Sequence, residues 1–185
     1  MKRFAKIYLE ITNQCNLHCS FCPKTKRAPR QMSREEFTSV LVKLRPYTDY
    51  LYFHLMGEPL WHPQLMDFLA LAAESGFCVI LTTNGTLLDR YPALPGVPAL
   101  HKVNISLHAF EANTLSEPFS DYLARCIRFG KMAEHAIVCY RLWNAGGAEE
   151  KNGEILKALH EAFPAPWQEG RQGTRLQERV YLQFD

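Results

Sequence analysis

Ile7-Tyr8-Leu9-Glu10-Ile11-Thr12 is followed two residues later by Cys15-Asn16-Leu17-His18-Cys19-Ser20-Phe21-Cys22. The first stretch is rich in β-branched, aromatic and leucine side chains and reads as a strand. The second holds three thiols at C-x3-C-x2-C spacing, in a loop short enough to fold its sulfurs around one metal centre. The next cysteine is Cys78, so the loop cannot easily supply a fourth thiolate. A structural zinc site closes with four ligands, which here would add His18 to the three Cys. A [4Fe–4S] cluster takes one Cys per iron, so three thiolates leave one iron open to another ligand. Unrelated buried thiols are the third reading.

The rest of the chain alternates helix-like and strand-like segments. Ser33-Arg34-Glu35-Glu36 is a capping box, and Phe37, Val40, Leu41 and Leu44 follow on one helical face up to Pro46. Strand two is Tyr50-Leu51-Tyr52-Phe53-His54-Leu55, with the turn Met56-Gly57-Glu58-Pro59-Leu60 after it. A helix starting near Pro63 buries Leu65, Phe68, Leu69 and Ala72 and ends at Gly76. Strand three runs from Cys78 to Thr83 and ends in Asn84-Gly85. Pro92, Pro95 and Pro98 leave room for at most one short helix. Strand four is Val103 to His108, and a helix with Tyr122, Leu123, Cys126 and Ile127 follows. Strand five is Ala136 to Trp143, then comes a helix with Ile155, Leu156, Leu159 and Phe163. Pro164, Pro166, Gly170 and Gly173 mark a long loop before strand six, Val180 to Phe184.

This βα alternation predicts an α/β fold with a parallel sheet. Right-handed crossovers would curl it into an open (β/α)6 partial TIM barrel. A flat doubly wound sheet is the alternative, but no G-x-G-x-x-G turn follows strand one. Barrel active sites lie at the C-terminal strand ends. Here those ends carry Cys15 to Cys22, Gly57-Glu58, Asn84-Gly85, Ser106 and His108, then Arg141 and Asn144. They would share one mouth.

At 185 residues, 47% hydrophobic and 22% charged, the chain fits one soluble domain over residues 1–185. A net charge of +2 is too small to imply nucleic acid or a membrane surface. The start lacks the apolar core of a signal peptide, and no run of about 18 apolar residues is present. Three clustered and three scattered cysteines suit reduced thiols in a cytoplasm better than a disulfide framework.

The three-Cys loop, with Phe21 before its last Cys, resembles the signature of the radical S-adenosylmethionine (SAM) enzymes. Gly57-Glu58-Pro59 resembles their Gly-Gly-Glu-Pro motif, with Met56 in place of the first Gly. Thr82-Thr83-Asn84-Gly85 and Ser106-Leu107-His108 resemble their strand-three and strand-four ends, and Arg141-Leu142-Trp143-Asn144 their strand-five end. The resemblance implies a [4Fe–4S] cluster on Cys15, Cys19 and Cys22 whose open iron chelates SAM. It implies that Gly57, Glu58, Asn84, Ser106, Arg141 and Asn144 contact SAM and that Phe21 lies beside adenine. The bland alternatives are a turn for Gly57-Glu58, a structural Asn84, core packing for Phe21 and an ordinary salt bridge for Arg141. His108 reads first as a satisfied core histidine, with proton donor and substrate contact as the alternatives, and the basic stretch from Lys24 to Arg34 as a solvated loop or an anion receiver.

In the family, one electron from a reductant such as a flavodoxin or ferredoxin cleaves SAM to methionine and a 5′-deoxyadenosyl radical. That radical takes hydrogen from a substrate. The later segments look like the subgroup with a C-terminal Cys-rich auxiliary domain, the SPASM type, which suggests a peptide or protein substrate, or a small molecule. No Cys follows Cys139, so the expectation is a core that stops after strand six, either as a truncated form or as one part of a split enzyme. The competing class is a non-catalytic Fe–S or zinc-binding module, or a partner subunit of a split enzyme.

Overall fold

Alternation along the strands sorts side chains onto two faces. In the computed structural model, which describes residues 4–184, the strands are β1 (Ile7–Tyr8), β2 (Tyr50–Phe53), β3 (Cys78–Thr83), β4 (Leu100–Ser106), β5 (Ile137–Leu142), β6 (Thr174–Gln177) and β7 (Val180–Phe184). They form one sheet in the order β1-β2-β3-β4-β5-β7-β6, parallel throughout except for the β6–β7 pair. Each strand from β1 to β5 lies beside its predecessor, so every crossover passes over the same face. The sheet is open, with β1 and β6 at its edges.

That face is apolar. Phe53, Leu81, Val103, Val138 and Val180 lie across it in register, all buried. Four helices cover it: α1 (Arg34–Leu44), α2 (Leu65–Glu74), α3 (Phe119–Met132) and α4 (Asn152–Ala162). The helix cores follow the 3–4 spacing, except that Val40, Leu44, Ile127 and Leu156 are only half-buried and Phe163 is buried just past the end of α4. α1 buries Phe37 and Leu41, α2 buries Leu65, Phe68, Leu69 and Ala72, α3 buries Tyr122, Leu123 and Cys126, and α4 buries Ile155 and Leu159. Each large side chain contributes about 1.5–3 kcal/mol on burial. The capping box of α1 is complete: Glu36 N–H donates to Ser33 Oγ (3.2 Å) and Ser33 N–H to Glu36 Oε2 (2.9 Å). Phe37 stacks on Phe68 at 4.2 Å between ring centroids, locking α1 to α2.

Several boundaries differ from the sequence reading. Strand one pairs with β2 only at Ile7–Tyr8, plus Leu9 N–H to Tyr52 O. From Ile11 the chain turns to a second partner, with Met32 N–H on Ile11 O (2.8 Å) and a Thr12–Gln31 bridge. β2 stops at Phe53 rather than Leu55, because Leu55 has φ +112°. Leu107–Ala109 is a 3-10 turn rather than the end of strand four. The proline-broken segment holds two 3-10 turns, Leu88–Arg90 and Leu94–Gly96, not one helix. The long loop gives way to β6, which forms a tight hairpin with β7 through Glu178-Arg179. Arg179 takes the left-handed position (φ +62°) that Gly or Asn usually marks, which is why the sequence pattern hid this hairpin.

Candidate functional site

The cysteine loop is held at its base before any metal is considered. Asn13 N–H donates to Arg30 O (3.2 Å), Arg30 N–H to Asn13 Oδ1 (2.7 Å) and Asn13 Nδ2 to Ala28 O (2.8 Å). The turn after β2 is pressed against this base. Glu58 N–H donates to Gln14 O at 2.8 Å. A Cβ on Gly57 would lie 2.4 Å from Thr12 O and 2.8 Å from Gln14 O, and Gly57 has φ +80°. Glycine is therefore required twice over, by backbone conformation and by close approach.

The third strand end closes the set. Glu58 is only 2% exposed, and its two oxygens accept from Leu60 N–H (3.0 Å) and Asn84 N–H (2.8 Å). Burial pushes its carboxyl up to about 7, against the hydrogen bonds from Asn84 and Leu60 that favour the ionised form. Asn84 Nδ2 donates to Asn16 Oδ1 (3.0 Å), within reach of Cys15 Sγ (3.9 Å). Asn84 Oδ1 accepts from Thr86, and Tyr122 O–H donates to Asn84 O (2.9 Å). Gly57, Glu58 and Asn84 thus clamp two strand ends onto the cysteine loop.

Cys15, Cys19, Cys22 and Phe21 line one cavity of about 340 Å³ with Gly57, Glu58, Asn84 and Ser106. The half-buried Ser106 side chain makes no hydrogen bond among the described residues. Phe21 is 56% exposed, so it is not a core residue, and its ring lies 5.0 Å from His108. His108 is buried, with Nδ1 against Arg141 O (3.1 Å) and Trp143 N–H (3.3 Å).

Two expected residues sit apart from this cavity. Arg141 packs its guanidinium 4.2 Å over the Trp143 ring and places Nε 3.4 Å from Gln183 Oε1. It has no carboxylate partner, so the salt-bridge alternative does not hold among the described residues. Asn144 donates through Nδ2 to Ala148 O (2.5 Å) and Asn152 Oδ1 (3.1 Å), tying the turn before α4. A larger cavity of about 690 Å³ lies between the returning strand and α1, lined by Arg27, Arg30, Glu35 and Glu36. It holds no thiol, and its arginines are already paired: Arg27 with Glu10 at 2.6 Å and Arg30 with Glu36. Size therefore does not outweigh chemistry, and the basic stretch has fewer unpaired cations than its sequence suggests.

Cys15 is exposed, and Cys19 and Cys22 are half-buried. Desolvation, more than any neighbour, pushes the Cys15 thiol up to about 11, and Glu58, Cys19 and Cys22 add repulsion. Cys19 is raised for the same first reason. Donors nonetheless point at the sulfurs: Leu17 N–H at 3.4 Å from Cys15 Sγ and Asn113 Nδ2 at 3.1 Å from Cys19 Sγ. Asn113 also accepts His18 N–H on Oδ1 (2.9 Å) and donates to Ala109 O (2.7 Å). The sequence reading missed it, since it stands alone beyond strand four with no motif around it. Among the described residues no three His, Cys, Asp or Glu side chains converge on a single-ion site.

Residues 9–164 match the family model described as the Radical SAM superfamily. The chain belongs to the radical SAM superfamily. Within the superfamily it is 37% identical over 86 residues to the tungsten-containing aldehyde ferredoxin oxidoreductase cofactor-modifying protein of Pyrococcus furiosus, covering 44% of this chain and 24% of that one. It is 34% identical over 110 residues to the GTP 3′,8-cyclase of Chlorobaculum tepidum, covering 57% and 33%. Its fold matches Streptococcus suis SuiB bound to precursor peptide SuiA with TM-score 0.64 and 15% identity, covering 88% of this chain and 38% of SuiB. The chain thus spans about a quarter to two fifths of the length of these three proteins. Among the described residues no helix is long and apolar enough to cross a membrane.

Proposed function

We propose that this chain is the core domain of a radical SAM enzyme, with a [4Fe–4S] cluster on Cys15, Cys19 and Cys22 and SAM beside it. The observation that carries this reading is the cavity that gathers all three thiols with Gly57, Glu58 and Ser106. The donor chemistry fits the group. N–H donors already aimed at two of the sulfurs suit thiolate ligands, and a cationic cluster would offset the desolvation and mutual repulsion of the thiols. When bound, the cluster and SAM supply one-electron cleavage and a radical able to take hydrogen from a substrate.

The chain's own residues hold and shape the site. Gly57 lets the β2 turn approach the loop. Glu58 and Asn84 fix the ends of β2 and β3 against it. Ser106 offers a hydroxyl, and exposed Phe21 offers an apolar face to adenine. Arg141 and Asn144 reach SAM only by leaving their present partners. The electron comes from an external reductant of flavodoxin or ferredoxin class. Membership of the superfamily and resemblance to its peptide-modifying subgroup favour a peptide substrate.

The test is metal content with spectroscopy. Protein rebuilt anaerobically with iron and sulfide should bind about four of each per chain. After reduction its electron paramagnetic resonance signal should change when SAM is added. The triple Cys15→Ala, Cys19→Ala, Cys22→Ala variant should bind no cluster. Unchanged iron in that variant, or zinc without sulfide in the wild type, contradicts the reading.

A further inference from the structure

His62 follows the 3-10 turn Pro59–Trp61 and is only 1% exposed. Its ring is bonded on both sides. Nε2 lies 3.0 Å from Met32 O, and Nδ1 lies 3.1 Å from the Gln64 nitrogen, whose N–H donates to it. A carbonyl oxygen only accepts and a backbone N–H only donates, so Nε2 carries the hydrogen and Nδ1 is bare. The two partners therefore fix one neutral tautomer. The ring also packs on Phe68 at 4.6 Å between centroids, beside the Phe37–Phe68 stack that joins α1 to α2.

These bonds tie the turn after β2 to the segment that returns from the cysteine loop. Met32 N–H donates to Ile11 O (2.8 Å), and Ala28 and Arg30, just before it, hold Asn13 by three hydrogen bonds. On the other side, Trp61 and His62 N–H donate to Glu58 O and Pro59 O, and Glu58 N–H holds Gln14 O. A ring of contacts thus runs from the base of the cysteine loop through Met32, His62 and Glu58 back to Gln14. His62 is the side-chain link in a ring otherwise made of main-chain bonds. The ionisable groups on the surrounding elements are engaged elsewhere. Glu58 accepts from Leu60 and Asn84 N–H, and Tyr91 O–H donates to Leu60 O and His62 O. Arg30 pairs with Glu36, and Arg90 lies over the Trp61 ring. Arg34, Glu35 and Asp67, in the first turns of α1 and α2, are exposed. Burial lowers the His62 pKa, the Met32 carbonyl opposes it, and no charged group contributes.

We infer that His62 is a positioning residue for the cysteine loop, a latch that holds the return segment only while its ring is neutral. A proton on Nδ1 would face a second donor, Gln64 N–H, at 3.1 Å, and would leave an unpaired charge in a buried place. The ring must then turn away from Gln64, and the Nε2–H bond to Met32 O breaks with it. Residues 28–32 loosen from the turn, and the loop base loses one side of its support. Because the folded chain holds His62 below the ordinary 6.5, the unfolded chain takes the proton first. The latch's contribution is therefore fully present above pH 6.5 and is lost as pH falls through the lower, folded-state value. Glu58, raised by burial, titrates with the opposite sign. The latch is built from the chain's own bonds and stands whether or not a cluster is bound.

The test is amide hydrogen exchange, followed by NMR at Met32 and Asn13 in the metal-free full chain at pH 7.5 and pH 5.0. His62→Gln keeps a donor near the Nε2 position and does not titrate, and His62→Phe keeps a ring without a donor. Rates are compared between proteins at the same pH, which cancels the intrinsic pH dependence of exchange. Wild type and His62→Gln should agree within twofold at pH 7.5, and wild type should exchange at least threefold faster than His62→Gln at pH 5.0. His62→Phe should exchange at least threefold faster than wild type already at pH 7.5. Equal rates in wild type and His62→Gln at both pH values overturn the inference, as does a His62→Phe chain that protects Met32 as well as wild type does. The wild type alone gives a second test that needs no variant to fold. Its His62 ring, assigned through its contact with Phe68, should titrate below 6.5, and the Met32 amide should shift with the same midpoint. Titration at or above 6.5, or a Met32 amide indifferent to it, overturns the latch.

Discussion

Replacing Gly57 by Ala adds one methyl group at a point where the backbone of the cysteine loop leaves no room. The Cβ would stand 2.4 Å from Thr12 O and 2.8 Å from Gln14 O, both main-chain atoms that cannot swing away. The left-handed φ of +80° adds roughly 1–2 kcal/mol of strain for any residue with a Cβ. Overpacking against backbone adds about 1–3 kcal/mol. Gly57→Ala should therefore destabilise the chain by roughly 2–5 kcal/mol, or relax by moving the turn off the loop and losing the Glu58 N–H to Gln14 O bond. Two other glycines separate the contributions. Gly146 has φ +71° with nothing within 4 Å, so Gly146→Ala tests strain alone, at roughly 1–2 kcal/mol. Gly153 lies in α4 with open space around it, so Gly153→Ala should stabilise by about 0.5–1 kcal/mol. Urea denaturation of all three, with iron content after reconstitution, is the assay. The order Gly153→Ala, wild type, Gly146→Ala, Gly57→Ala is expected from most to least stable, with Gly57→Ala also losing iron. A Gly57→Ala protein as stable as Gly146→Ala, with full iron, would refute the close-approach argument.

Asn113→Ala removes the donor at 3.1 Å from Cys19 Sγ and the acceptor for His18 N–H. It should cost about 1–2 kcal/mol in the metal-free chain and lower the reduction potential of the rebuilt cluster; an unchanged potential would make Asn113 merely structural. Glu58, raised by burial to about 7 from an ordinary 4.5, binds its proton more tightly folded than unfolded. Its contribution to stability is fully present below about pH 4.5 and falls by up to roughly 3 kcal/mol as pH rises through 7. Urea midpoints between pH 4.5 and 8 should show that slope in the wild type and lose it in Glu58→Gln, and a slope that survives in the variant belongs to another group. Leu55, 57% exposed at φ +112°, loses little burial on truncation, so Leu55→Gly should stabilise by about 1 kcal/mol. A drop in the urea midpoint would mean that its side chain packs usefully over the cavity.

The sequence was most readable where one physical signal acts alone. Phe37, Leu41, Leu65, Phe68 and Leu159 repeat at helical spacing, and the helices bury them. The Ser33–Glu36 capping box marks the start of α1 to the residue. Strand centres were legible for the same reason. Strand ends were not, because they are decided by partners far away in sequence. Ile11 leaves the sheet to pair with Met32, and Leu55 leaves it through a positive φ that no motif announces. The site was half legible. The three Cys, Phe21, Gly57, Glu58, Asn84 and Ser106 do meet at one cavity. That Gly57, Glu58 and Asn84 also carry the joint between loop and strands needed coordinates. Asn113 acquires meaning only through its neighbours in space.

The most direct test is formation of 5′-deoxyadenosine from SAM. The chain would be purified without oxygen, rebuilt with iron and sulfide, reduced with dithionite, and compared with Cys22→Ala. The account predicts nucleoside release above that control even with no substrate added. A wild-type chain that holds its full cluster yet releases no more than Cys22→Ala would contradict it.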